Sequence, residues 1–217
     1  MLTIENTRVL GWEPAVHGMR NPLSSWDKSD STFNDDCLRI GEADIDLMHR
    51  LCGGGADDRK FMRMITVYAD ITAPLYWWKE FDTYKVGTVA NSCSTMHTIQ
   101  KKPFDMNDFS HEHLSDACIG NLEETIGFLE LYREKFNAEK DPKKRKWYWW
   151  QMIQLLPSSF NQKRTVMLNY EVLVNIYRAR KNHKLDEWHT VCDWIETLPL
   201  GEDTIVYAVN KGANKNE

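Results

Sequence analysis

Residues 169–180 read NYEVLVNIYRAR, and the rest of the chain is interpreted outward from them. Leu173, Ile176 and Tyr177 recur at the three- and four-residue spacing of an amphipathic helix with one buried stripe. Arg180 falls on that stripe, seven residues after Leu173 and four after Ile176. Asn169, eleven residues before Arg180, returns to nearly the same bearing at about 100° per residue. A guanidinium at the end of an apolar stripe needs a carboxylate, a carbonyl or an anionic ligand, because an unpaired buried charge is costly. Its structural alternatives are to snorkel to water or to cap the helix C-terminus.

Around this helix the pattern predicts a mixed α/β (α+β) chain. A short strand is expected at 7–13, then loop and a short helix over 15–36. Helix 43–52 has Ile45, Met48, Leu51 and Cys52 on one face, and Gly53-Gly54-Gly55 stops it. The triple glycine lacks a following GK[ST], so it reads as cap and turn, not as a phosphate loop. FMRMITVYADI at 61–71 reads as a strand, and Pro74 opens an aromatic helix over 75–85. Residues 86–99 form a loop leading to a short element, and 101–116 an exposed insertion. Two long helices, 114–137 and 142–156, follow, the second opened by Asp141-Pro142 with a solvated basic first turn, Lys143-Lys144-Arg145-Lys146. Trp147-Tyr-Trp-Trp150 inside it is core or oligomer interface. A short strand is expected at 163–168 and a last helix at 185–198, with a loose polar tail after Val209.

A chain of 217 residues suits one sizeable domain. Its composition, 42% apolar and 27% charged, is that of a soluble globular protein, with no run long enough to span a membrane and no signal-peptide pattern. The expected compartment is the cytosol. A net charge of −5 argues against general nucleic-acid binding. Five scattered cysteines (Cys37, Cys52, Cys93, Cys118, Cys192) have no metal-ligand spacing and read as reduced thiols, mostly core filler. The His-Glu-His at 111–113 reads as surface loop, and no metal site is expected.

The segment from Leu156 to Arg180 resembles the C-terminal signature of the flavin-dependent thymidylate synthases: Pro157, an Asn twelve residues on at 169, a second at 175, and Arg180. Upstream, Ala73-Pro74 stands where that family opens its central helix, Lys79-Glu80-Phe81 where it often has Arg-Gln-aromatic, and Asn91 and Ser94 match its later signature. The likeness runs over most of residues 7–198. Tyr84-Lys85-Val86 replaces the family's Arg-His-Arg, and Val89, Ser92, Met96 and Ile153 replace its Ser, Glu and two arginines. Lys85, Arg59, Lys60 and Arg63 are the cations that could compensate.

The resemblance implies that fold, with a central antiparallel or mixed sheet and long helices, assembling as a homotetramer. It implies methylation of dUMP, or a related pyrimidine deoxynucleotide, at C5, with methylenetetrahydrofolate and NADPH as co-substrates and FAD as cofactor. By position, Arg180 would polarise the pyrimidine as the catalytic residue. Ser94, Lys79 and Glu80 would join it in binding substrate. Asn169, Asn175, Lys85, Asn91 and Lys184 would line the cofactor. The lost arginines leave two alternatives: a nucleotide-binding or sequestering protein without turnover, or a protein–protein interaction module.

Overall fold

The computed structural model describes residues 2–34 and 37–213. Four strands form one sheet in the order β1-β4-β6-β5: β1 Thr3–Leu10, β4 Thr66–Pro74, β5 Val89–Ser92 and β6 Asn161–Asn169. A second, antiparallel ribbon pairs β2 (Thr32–Asn34) with β3 (Cys37–Arg39). The helices are α1 Trp12–Arg20, α2 Glu42–Cys52, α3 Leu75–Phe81, α4 Thr95–Thr98, α5 Asp116–Ala138, α6 Pro142–Leu155, α7 Tyr170–Arg180, α8 Asp186–Thr197 and α9 Tyr207–Ala213. The chain gathers into two compact units. Of the described residues, one unit holds 2–3, 71–83 and 91–164; the other holds those of 4–70, 84–90 and 165–213.

In the first unit, Trp77, Trp78 and Phe81 of α3 are fully buried, their rings 4.9 to 5.2 Å apart. The α3 helix stops at Phe81, four residues short of the expected end. Helix α6 starts as its sequence requires, with Pro142 in the first turn and the Asp141 carboxylate accepting from Lys143 N at 2.9 Å. Leu122 and Leu129 of α5 and Met152 of α6 are buried together with Ile99, Phe104 and Phe109. The segment 101–116 is therefore not wholly an exposed insertion: its Phe104, Phe109 and Ser110 are buried, because two aromatics return into the helical core. The tryptophan run also divides differently from a core cluster, with Trp147 53% and Trp150 41% exposed while Trp149 turns inward.

In the second unit α7 is the hub. Tyr170 to Val174, Ile176 and Tyr177 are all buried, so the helix is enclosed on several sides and not along one stripe. Each such apolar side chain contributes about 1.5–3 kcal/mol on burial. Trp188, Val191, Cys192 and Ile195 of α8 are also buried. Asn169 does not belong to the helical stripe: it ends β6, and its side chain caps α7 by accepting from Val172 N at 3.0 Å.

Three further boundaries differ from expectation. Residues 60–63 form a 3₁₀ turn that buries both Phe61 and Met62, and the strand begins only at Thr66. Residues 12–20 make a nine-residue helix with Trp12, Ala15, Val16 and Met19 inward, longer than the short helix read over 15–36. The tail is helical through Ala213, anchored by buried Ala208 and Val209, and the remainder of the expected loose tail lies outside the described residues.

Candidate functional site

Arg180 closes the last turn of α7 and is half-buried. Its Nε donates to the Tyr84 hydroxyl at 2.9 Å, and its guanidinium lies over the Trp188 ring at 4.7 Å and the Tyr84 ring at 5.6 Å. The two rings meet edge to face at 6.0 Å, and His183 stands against Trp188 at 6.4 Å. Two aromatic faces are a favourable seat for a planar cation. The site is thus an aromatic clamp on a guanidinium, with Lys85 next to Tyr84 and Lys184 next to His183, both exposed. Tyr84 stands first in the triplet that departs from the Arg-His-Arg pattern, and it is the residue that engages Arg180.

The other expected residues distribute as follows. Asn175 is exposed on α7. Asn169 has its carbonyl oxygen committed to the α7 N-terminus, and its amide nitrogen backs onto Gly87, where an added Cβ would come within 2.9 Å of it. Gly87 also has φ +75, a conformation that glycine adopts without cost, so this turn tolerates no side chain. These residues all belong to the second unit. Lys79, Glu80, Asn91 and Ser94 belong to the first unit, with Lys79 and Asn91 exposed and Glu80 and Ser94 half-buried. The Ser94 Oγ hydrogen-bonds His97 Nδ1 at 2.7 Å.

Two buried ion pairs in the second unit escaped the sequence reading. Arg59 forms a bidentate pair with Glu171, at 2.8 Å from Nε and 3.0 Å from Nη2. That commits Arg59 to the first turn of α7, so it cannot replace a lost ligand-binding arginine. Arg20 Nε donates to Asp44 Oδ1 at 2.6 Å, and Ser29 and Ser31 hydroxyls donate to the other oxygen at 2.7 and 2.6 Å. Burial pushes the Asp44 carboxyl upward, but the two serines and Arg20 outweigh it and hold the group below its ordinary value. An arginine on an otherwise apolar helix face and an aspartate on another were the only signals, and neither names its partner.

Burial pushes the Cys52 thiol up to about 12 and that of Cys192 to about 11. Cys93 and Cys118 are exposed, so the cysteines are not uniformly core filler. Among the described residues no cluster of three or more His, Cys, Asp or Glu could hold a metal, and no helix is long and apolar enough to cross a membrane.

Solved structures share this architecture. Thymidylate synthase X from Helicobacter pylori, solved with FAD and dUMP, superposes with TM-score 0.65 at 14% identity, covering 96% of this chain and 99% of the other. The chain has the flavin-dependent thymidylate synthase fold. The UMP/dUMP methylase PolB from Streptomyces cacaoi, bound with 5-Br UMP, superposes with TM-score 0.64 at 11% identity, over 98% and 95% of the two chains. Its complex with 5-Br dUMP gives TM-score 0.60 at 13% identity. No protein-family model and no curated protein matches the chain. At these identities the likeness is one of fold.

Proposed function

We propose that this chain binds a pyrimidine mononucleotide beside a flavin and methylates its C5, with the one-carbon unit from methylenetetrahydrofolate and reducing equivalents from NADPH. The observation that carries the reading is the fold shared with proteins solved with FAD and dUMP or with halogenated UMP and dUMP. The substrate is accordingly dUMP or UMP. Arg180, clamped by Tyr84 and Trp188, meets the uracil and polarises it. A guanidinium held rigid by two rings loses little freedom on binding a planar partner.

Flavin is supported by the chemistry of the donor set. Lys85 and Lys184 are exposed cations suited to a diphosphate, and Asn175 is an exposed amide suited to the edge of a ring. Asn169 serves this site indirectly, by capping α7 and backing the Gly87 turn. Bound flavin would supply the relay of carbon and hydride, and the chain would supply position, polarisation and exclusion of water. Self-association belongs to the same reading: Phe128, Leu131, Trp147 and Trp150 leave an apolar face on α5 and α6.

A second reading is binding without turnover. It is favoured by one contact, the Tyr84 hydroxyl on Arg180, where the resemblance calls for an arginine. The two separate in one assay. Protein is incubated with FAD, NADPH, methylenetetrahydrofolate and either dUMP or UMP, and the nucleotide pool is analysed for the C5-methylated product. Product formation that disappears in Arg180→Ala supports catalysis. Nucleotide binding with no product favours the second reading, and no binding at all contradicts both.

A further inference from the structure

Helices α5 and α6, both in the first unit, are joined by residues 139–141 and pack as a hairpin. Tyr132 of α5 meets Trp147 and Tyr148 of α6 at 6.0 and 6.2 Å, and Phe136 lies beneath the Arg145 guanidinium at 4.4 Å. The turn end of this hairpin is strongly basic. Residues 133–146 carry seven Lys or Arg against three Asp or Glu, in a chain whose net charge is −5. Two of those acids are engaged by the backbone: Glu139 accepts from the Lys140 and Asp141 amides at 2.8 and 2.9 Å, and Asp141 from the Lys143 amide at 2.9 Å. Lys140, Lys143, Lys144 and Lys146 all stand exposed.

Their position makes these cations informative. The unpaired amides at a helix start favour acidic side chains and disfavour cations. The first turn of α6 holds no acid, and Lys143, Lys144, Arg145 and Lys146 follow directly on Pro142. Lys143 and Lys146, three residues apart on one side of the helix, repel each other, and the Asp141 cap offsets this only in part. Natural sequences break local preference in this way chiefly where function requires it. The same side of α6 continues, one turn beyond Lys143, into Trp147, which is 53% exposed. On α5, Leu131 stands 41% exposed one turn before Lys135. The cations are therefore continuous with aromatic and aliphatic side chains open to solvent.

We propose that this end of the hairpin docks on an anionic lipid surface, with the lysines at the headgroups and Trp147 in the interfacial layer. Polybasic segments are drawn to anionic leaflets, and tryptophan settles at the boundary between headgroup and hydrocarbon. Leu131 favours lipid over nucleic acid, because an aliphatic side chain enters a bilayer but offers no face on which a base can stack. Charges more than about 8 Å from the surface are largely screened at physiological salt, so the patch governs docking and the net charge does not. Leu131 and Trp147 border the apolar face read above as a self-association surface; the lysines lie outside it, so their removal separates the two.

Co-sedimentation of the full chain with vesicles of phosphatidylserine and phosphatidylcholine in equal parts, against vesicles of phosphatidylcholine alone, tests this. The chain is expected to bind the mixed vesicles, to leave the neutral ones, and to be released as salt rises. The triple variant Lys143→Gln/Lys144→Gln/Lys146→Gln is expected to weaken binding by about tenfold or more. Its melting temperature should be unchanged or higher, because repulsion at the helix start is relieved, and its elution volume in size-exclusion chromatography should not move. Brominated lipid in the mixed vesicles should quench tryptophan emission less in Trp147→Phe than in the wild type. The proposal fails if mixed vesicles are not bound at low salt, if neutral vesicles bind equally well, if the triple variant binds undiminished, or if quenching is the same in both proteins. Lost vesicle binding with a shifted elution volume would return the lysines to self-association and overturn it. So would capture of single-stranded oligouridylate through the same lysines with none of the vesicles, which assigns the patch to nucleic acid. Because the readout uses neither flavin nor a mononucleotide, failure of the proposed methylation leaves this test intact.

Discussion

Arg20 and Arg59 in one unit, and Lys102 in the other, are cations in opposite circumstances. Each arginine is nearly sealed from solvent and meets a carboxylate at hydrogen-bond distance, Asp44 and Glu171 respectively. Lys102 also pairs with a carboxylate, Asp108, but its side chain stays 68% exposed. A buried cation must be compensated from within the fold, whereas an exposed one keeps most of its water whether or not it is paired. The contrast separates charge that holds structure from charge that solvent already satisfies. Arg180 stands between the two, half-buried and clamped by rings.

The sharpest way to break this contrast is to remove one carboxylate. Asp44→Ala leaves Arg20 buried with its main partner gone and is expected to destabilise the protein by about 3–5 kcal/mol in denaturant unfolding. A loss below about 1 kcal/mol would place that pair with ordinary surface charges. The pH dependence sharpens the same point. Asp44 has a folded-state value below its unfolded one, so its stabilisation is present above about 3.8 and is lost as pH falls through the lower, folded value. The stability gap between the wild type and Asp44→Asn should therefore narrow at low pH; a constant gap would contradict the assignment.

Arg180→Ala is expected to cost only about 1 kcal/mol of stability, the loss of cation–π contact, while abolishing the nucleotide response. Arg180→Lys should restore little of that response, since an ammonium cannot reproduce a planar stack. Thiol reactivity separates buried from open chemistry without mutation of charge. In a Cys37→Ser background, Cys93 and Cys118 should react rapidly with a thiol reagent at neutral pH, and Cys52 and Cys192 far more slowly until the protein unfolds. The smallest effect expected is that of Lys102→Gln, within about 0.5 kcal/mol in stability, because its pair with Asp108 is open to water on the lysine side.

Much of this architecture was legible in the chain. Periodicity located α2, α5, α6, α7 and α8 to within about two residues, because each buries apolar positions at helical spacing and carries local start or stop signals. Gly87 and Asn169 were read as loop and ligand residues; their actual relation, a turn packed on a helix cap, depends on contact between residues eighty-two apart in sequence. Segment 101–116 was misread because charged and polar residues outnumber the two phenylalanines that bury it. The Arg59–Glu171 pair spans 112 residues, and no single-sequence pattern records such a partner. The aromatic clamp on Arg180 was hidden for the same reason: the stripe indicated that the guanidinium needed a partner, but not that Tyr84 and Trp188 would be the ones.

The measurement that reaches the central claim most directly is the absorption spectrum of the purified chain after incubation with FAD and removal of unbound flavin, followed by titration with dUMP. The expected result is a retained flavin band that shifts on addition of dUMP, with the shift absent in Arg180→Ala. A colourless protein that neither retains FAD nor responds to dUMP would contradict the account and leave only the fold.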